Sequence, residues 1–336
     1  PAACAACLPV DLGAGPGAAL QCVYARAPLP ATRYLVPSLE LIQEVKRCYS
    51  RDGAWLDLGE STRPSAGHTW SIRCFGPLEI RHEDRLVARE AFVRQKALTL
   101  LRVLLLQGGK PIGREALCEL LWPGVDLQVG SNRLHGVLHA LRQVLEKSPP
   151  WQHVCLHGDG YCFRNGPSFR VDLFEFERSH AEGRRALQSA DPVRAMQCFE
   201  RACEWYQGEL FEDEPYAEWC WSDREQCRER YLYMLKTVAE LSLTQGDLEK
   251  SEGFYRRALQ VGPLREDLHQ GLMVCLWRQG RRTEALRQYD ECARLVRQEL
   301  DADPLPDTQR LVQALRKALP ESNGGSQQGF SAPLRV

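Results

Sequence analysis

Six side chains in one short stretch have the chemistry to read the edge of a nucleic-acid base: Asn132, Arg133, His135, His139, Arg142 and Gln143. Arginine can bond guanine O6 and N7 in pairs, and asparagine or glutamine can do the same at adenine N6 and N7. Interleaved with them, Leu134, Val137, Leu138, Leu141 and Leu145 recur three and four apart. That spacing predicts a helix over residues 130–146 with the leucines inward and the six polar groups outward. Ser131 is its expected N-cap, since a serine hydroxyl accepts a free amide of the first turn. A helix with this outer face suits a DNA major groove; taken alone, it equally suits an ordinary amphipathic helix with a solvated side. His135 and His139 also have the spacing of two zinc ligands. No third ligand is apparent and the glutamate of an HExxH arrangement is missing, so no metal is expected.

The neighbouring segments decide what positions that face. Residues 72–80 alternate and contain Gly-Pro, residues 85–88 follow a charged turn, and both read as short antiparallel strands. Residues 92–106 predict a helix with Ala97, Leu100, Leu101, Leu104 and Leu105 inward, ended by Gly108 and Gly109. Residues 114–121 predict a second, closed by Trp122-Pro123-Gly124. After the third helix, residues 154–156 and 161–163 flank His157-Gly158-Asp159-Gly160, the pattern of a hairpin. Gly158-Asp159-Gly160 is a turn in this setting, because no GK[ST] follows as in a phosphate loop. Strands, three helices and a hairpin make a winged helix-turn-helix over residues 70–170.

The rest of the 336 residues calls for at least one more core. Residues 71–170 carry 14 lysines and arginines against 9 acids, whereas residues 171–320 carry 22 against 28. A basic block beside an acidic one implies that the first alone meets a polyanion. In the second block, Gly246-Asp247 and Gly280-Arg281 stand 34 residues apart, with Tyr255 matching Tyr289 and Ala258 matching Cys292. An earlier copy places Phe199 and Ala202 in the same positions. This is the tetratricopeptide period, so residues 171–320 are expected to be stacked helix pairs. Residues 1–69 read as linker or disordered chain with one possible short helix near 38–49, and residues 321–336 as a flexible tail. The start on Pro1 suggests a fragment or a processed product. The 14 cysteines, Cys4 and Cys7 included, show no disulfide or zinc framework and are expected to be free thiols. No apolar run reaches membrane length, and no secretory signal is visible, so a cytoplasmic location is expected.

Phe75-Gly-Pro-Leu-Glu-Ile80, Arg94-Gln-Lys-Ala97, Gly109-Lys-Pro-Ile112, Arg114-Glu-Ala-Leu117, Leu121-Trp-Pro123, Leu138-His-Ala-Leu-Arg142 and Gly158-Asp-Gly-Tyr161 fall in the order seen in the OmpR-type DNA-binding domain. The set most resembles the version in SARP and AfsR-type transcriptional activators. Val171-Asp-Leu-Phe-Glu-Phe-Glu177, Tyr206-Gln-Gly-Glu-Leu210 and Tyr216-Ala-Glu-Trp219 resemble motifs of the bacterial transcriptional activation domain that follows it there. The resemblance implies that the six polar residues lie on the recognition helix and that Arg94, Lys96 and Tyr161 lie near the DNA backbone. Gly136 departs from the longer side chains common on that helix, which implies either close backbone approach or weaker readout, and it lowers intrinsic helicity. The expected fold is thus an α+β winged helix-turn-helix domain followed by an all-α tetratricopeptide-like helical-repeat domain. The expected function is a sequence-specific activator in the bacterial cytoplasm, associated with the nucleoid. Its partners would be double-stranded promoter DNA, RNA polymerase and a second copy on direct repeats, with no membrane contact. An alternative from the same features is a protein-binding scaffold in which the winged helix is an adaptor. Nothing supplies a nucleophile, base or cofactor site for an enzyme.

Overall fold

In the computed structural model, which describes residues 69–146 and 150–318, strand β1 (Trp70–Arg73) buries Trp70 and Ile72 and leaves Ser71 and Arg73 half-buried. That is the period of two of a sheet with one face on a core. β1 pairs antiparallel with β2 (Glu79–His82), which turns through Glu83 and Asp84 into β3 (Arg85–Leu86). Both turn residues have positive φ, as a tight hairpin of matching twist requires. Helix α1 (Gln95–Leu106), the short strand β4 (Ile112–Gly113), α2 (Arg114–Leu121) and α3 (Leu127–Leu145) follow. β5 (Val154–His157) and β6 (Gly160–Phe163) form the hairpin, and β6 also pairs with β4. β7 (Phe169–Val171) then returns to lie parallel to β1, completing the order β3-β2-β1-β7.

Two helix starts differ from expectation. α1 begins at Gln95, because Arg94 is extended and the buried Phe92 follows a separate 3-10 turn, Arg89–Ala91. α3 begins at Leu127, with Asp126 as its cap: its carboxylate accepts the amides of Gln128 at 2.9 Å and Val129 at 3.3 Å. Ser131 lies buried inside the helix and caps nothing. Gly130 serves helix packing. A Cβ there would sit 3.1 Å from Cys118 Cβ on α2, so glycine lets the two helices approach.

Among the described residues, seven further α-helices form the second half: α4 (Asp172–Gln188), α5 (Pro192–Trp205), α6 (Trp221–Gln245), α7 (Leu248–Val261), α8 (Glu266–Arg278), α9 (Arg282–Leu300) and α10 (Pro306–Lys317). Gly246 and Gly280, 34 residues apart, both turn the chain at positive φ, closing α6 and following α8. Phe199, Ala202, Tyr255, Ala258 and Cys292 are buried, as the repeat spacing predicts, while Tyr289 is half-buried. The aromatics fill gaps left by glycines on the facing helix. The Phe199 ring lies over Gly183, and the Tyr255 ring over Gly271. A Cβ at Gly271 would fall 2.2 Å from Tyr255 Cζ, and that ring is only 2% exposed, with nowhere to move. Gly271→Ala should therefore destabilise by about 1–3 kcal/mol through overpacking. The gain of roughly 1 kcal/mol in helix propensity does not outweigh it. Urea denaturation checks this; an unchanged or higher midpoint would show that the ring yields.

The two halves share one core. Buried apolar residues in mutual contact run without interruption from Trp70 through Phe75, Phe176 and Tyr206 to Ala285. The Phe75 ring centroid lies 4.9 Å from that of Phe176 and 4.8 Å from that of Tyr206. The chain after α5 also hydrogen-bonds back onto the chain that follows β1: Gly76 N–H donates to Glu209 O at 2.8 Å and Phe211 N–H to Cys74 O at 2.8 Å.

Candidate nucleic-acid interface

The inward stripe of α3 is as predicted. Leu134, Val137, Leu138, Leu141 and Leu145 are all buried. Because they point inward at three- and four-residue spacing, the intervening residues must leave the opposite side. Asn132, Arg133, His135, His139 and Gln143 are all exposed, and none of the described residues covers them. Arg142 stands apart from this row. It is half-buried, its Nε donates to Val154 O at 2.8 Å, and its guanidinium lies 5.6 Å from the Trp151 ring centroid. Glu146, just past the helix, accepts the amides of Val154 at 2.7 Å and His153 at 3.2 Å, and that of Gln152 as well. These two residues lock the end of α3 to the first strand of the wing, so the helix and hairpin are presented as one surface.

Arg94 and Lys96 are exposed at the start of α1. Arg94 reaches across α3 at Gly136: a Cβ on Gly136 would lie 3.0 Å from Arg94 Cζ and Nη1. The room left by the missing side chain is thus occupied by a guanidinium of the protein itself. Tyr161 differs from the other backbone candidates, because it is 5% exposed, on β6 between Ile112 and Leu156. Its ring belongs to the core under the wing. The outer surface of the hairpin is formed by Leu156, His157, Gly158 and Asp159.

Both halves hold paired and unpaired cations: Arg73, Arg81, Arg89 and Arg102 of the winged helix have acidic partners, whereas Arg184, Arg185 and Arg194 of the repeats are exposed with none among the described residues. Among the described residues, no carboxylate pairs with Arg94, Lys96, Arg114, Arg133 or Arg164, all exposed on the winged helix. In the helical repeats, Arg178, Arg230, Lys236, Arg265, Arg281 and Arg294 each hold an acidic partner. Arg164 has no signal in the sequence; its exposure without a neighbouring acid needs the fold. His135 and His139 gain no third ligand, and no group able to hold a metal occurs among the described residues. None of the described helices is long and apolar enough to cross a membrane.

Residues 171–316 match the bacterial transcriptional activator domain. The chain is 29% identical over 241 residues to the regulatory protein AfsR of Streptomyces coelicolor, a match covering 70% of this chain and 24% of AfsR. It is 28% identical over 210 residues to the transcriptional regulator RedD of the same organism, covering 61% of this chain and 58% of RedD. The chain spans about a quarter of the length of the AfsR relatives it matches. Among solved structures, EmbR of Mycobacterium tuberculosis, in complex with a low-affinity phosphopeptide, superposes with a TM-score of 0.62 at 18% identity. That match covers 74% of this chain and 65% of EmbR, and it shows a shared fold. The relatives are regulators by name. A region matching the bacterial transcriptional activator domain thus follows the winged helix, and the chain is similar to the SARP/AfsR-type regulators AfsR and RedD.

Proposed function

We propose that this chain is a sequence-specific DNA-binding transcriptional activator of the bacterial cytoplasm. α3 enters the major groove of promoter DNA, with Asn132, Arg133, His135, His139 and Gln143 toward base edges. Arg94 and Lys96 meet phosphates beside the groove, and the wing follows the neighbouring backbone. Arg142 acts as a brace, since its guanidinium is already held by Val154 and Trp151. The helical-repeat half contacts RNA polymerase or a second copy bound at an adjacent direct repeat.

The observation that carries this reading is the exposed row on α3, flanked by cations that hold no acidic partner among the described residues. Cations without a local acid are available to neutralise phosphates, and Arg94 lies directly against α3 at Gly136. Mobility shifts of the full chain on promoter fragments test the proposal. Arg133→Ala should cost about 1–3 kcal/mol at specific sites and little elsewhere, whereas Lys96→Ala should weaken all sites alike and lower the salt slope by about one. Equal binding to every sequence before and after Arg133→Ala would eliminate base readout. Binding that ignores salt would favour the scaffold reading, because counterion release makes phosphate contacts salt-sensitive.

A further inference from the structure

The wing holds a pair of thiols that the DNA-binding reading does not use. Cys155 on β5 and Cys162 on β6 are direct cross-strand partners, and their Sγ atoms lie 3.5 Å apart. We propose that Cys155 and Cys162 form a reversible thiol–disulfide site on the wing, with a hydroperoxide as the oxidising co-reactant.

The backbone already meets the requirement for a bridge. Directly opposed residues of an antiparallel ladder have Cα separations of about 4.5–5.5 Å, inside the roughly 4.4–6.8 Å range of disulfides. Bond formation asks the sulfurs to close from 3.5 Å to about 2.05 Å, a rotation of side chains without a change of register. The two thiols are also unequal in access. Of the ten described cysteines, Cys155 alone is not buried; Cys162 is 4% exposed. Burial, together with the hydrogen bond to Cys155, pushes the Cys162 thiol up to about 11. Cys155 is therefore the thiol that meets the oxidant and Cys162 the one that resolves.

In the first step the Cys155 thiolate attacks the distal peroxide oxygen; the O–O bond breaks, Cys155 becomes a sulfenic acid, and the leaving oxygen takes a proton to give an alcohol or water. In the second, the Cys162 sulfur attacks the Cys155 sulfur, the S–O bond breaks, and the proton of Cys162 leaves with the hydroxyl as water. Two thiols lose two electrons and one peroxide gains them. A dithiol reverses the change by exchange. Disulfides of this kind in reducing compartments are transient and redox-sensing. The bridge would join the strand that Glu146 and Arg142 tie to α3 with the strand that β4 ties to α2.

The test uses the reduced full chain, treated with hydrogen peroxide, blocked with an alkylating reagent and mapped as peptides without reduction. The expected result is a peptide joining Cys155 to Cys162, lighter by two hydrogens and lost after dithiothreitol. Cys162→Ser should instead leave Cys155 as a sulfenic acid trapped by dimedone. Cys4, Cys7, Cys22 and Cys48 lie outside the described residues, and the map separates any bridge they make from this one. Cys155 bridged to another cysteine, or both wing thiols still alkylated while other thiols are oxidised, would overturn the proposal. The wild-type map decides between these outcomes even if the serine variant folds poorly.

Discussion

Asp172→Ala is expected to destabilise the whole chain by about 3–4 kcal/mol, with the winged helix and the helical repeats lost together. Asp172 is 6% exposed at the first residue of α4. Its carboxylate accepts the amides of Cys74 at 2.8 and 2.9 Å, Phe75 at 3.0 Å and Leu173 at 2.7 Å. Cys74 and Phe75 are both fully buried, so alanine would leave their N–H groups in the core without an acceptor. Each such orphan costs about 1–3 kcal/mol. One term opposes this loss. Burial outweighs the amide bonds and raises the Asp172 carboxyl above its ordinary value, so holding the charge already costs stability. The orphaned amides should still win, because two buried donors are stranded and only one charge is relieved.

The raised value also fixes the sign of a pH effect. The stability linked to Asp172 is fully present below the unfolded-state value and is lost as pH rises through the folded one. Asp172→Asn removes that slope while keeping one acceptor for the strand amides, so it should destabilise less than alanine. Urea melts at several pH values, followed by far-ultraviolet circular dichroism and by tryptophan fluorescence, check both points. Separate transitions by the two probes in the wild type, or an alanine variant as stable as the asparagine one, would contradict this account.

What was legible in the sequence follows the range of the interactions involved. The inward stripes of α1 and α3 depend on residues three and four apart, and so do the five residues exposed along α3; all were readable as periodicity. The repeat period was readable for the same reason, since Gly246 and Gly280 each mark a turn of the chain at positive φ. The misread features depend on distant partners. β7 is three residues long and is made a strand by β1, almost a hundred positions earlier. Arg142 looks like its neighbours in a helical projection, yet the carbonyl of Val154 takes it out of the row. Tyr161 was placed near DNA by resemblance, and the alternation that buries it becomes clear only once β4 is seen to pair with β6. Asp172 stood in plain view in a junction motif, and its role needed the strand that it caps.

Arg102 is the other residue on which the joint depends. In the sequence it merely interrupts the apolar run of α1. In the fold it is 1% exposed, with Nη1 donating to Glu214 at 2.5 Å and Nη2 to Asp213 at 2.6 Å, from a loop more than a hundred residues away. Asp213 also pairs with Arg89 and accepts the Leu78 amide at 3.0 Å, so a single carboxylate gathers three parts of the winged helix. Breaking a buried pair from one side costs about 3–5 kcal/mol, because the remaining charge is stranded. Here the figure must be discounted. Glu214 is 34% exposed and can turn to water, and Asp213 keeps Arg89. Arg102→Met, which preserves length and apolar packing, should therefore cost about 2–3 kcal/mol. Asp213→Asn combined with Arg102→Met should cost less than the sum of the two single changes, with a coupling of about 0.5–3 kcal/mol. Methionine at 102 also removes the guanidinium whose Nε is buried without a partner, a small gain that works against the loss. If the double variant is strictly additive, the pair is an accident of proximity, and the rigid seat of α3 on the repeats must come from the apolar core alone.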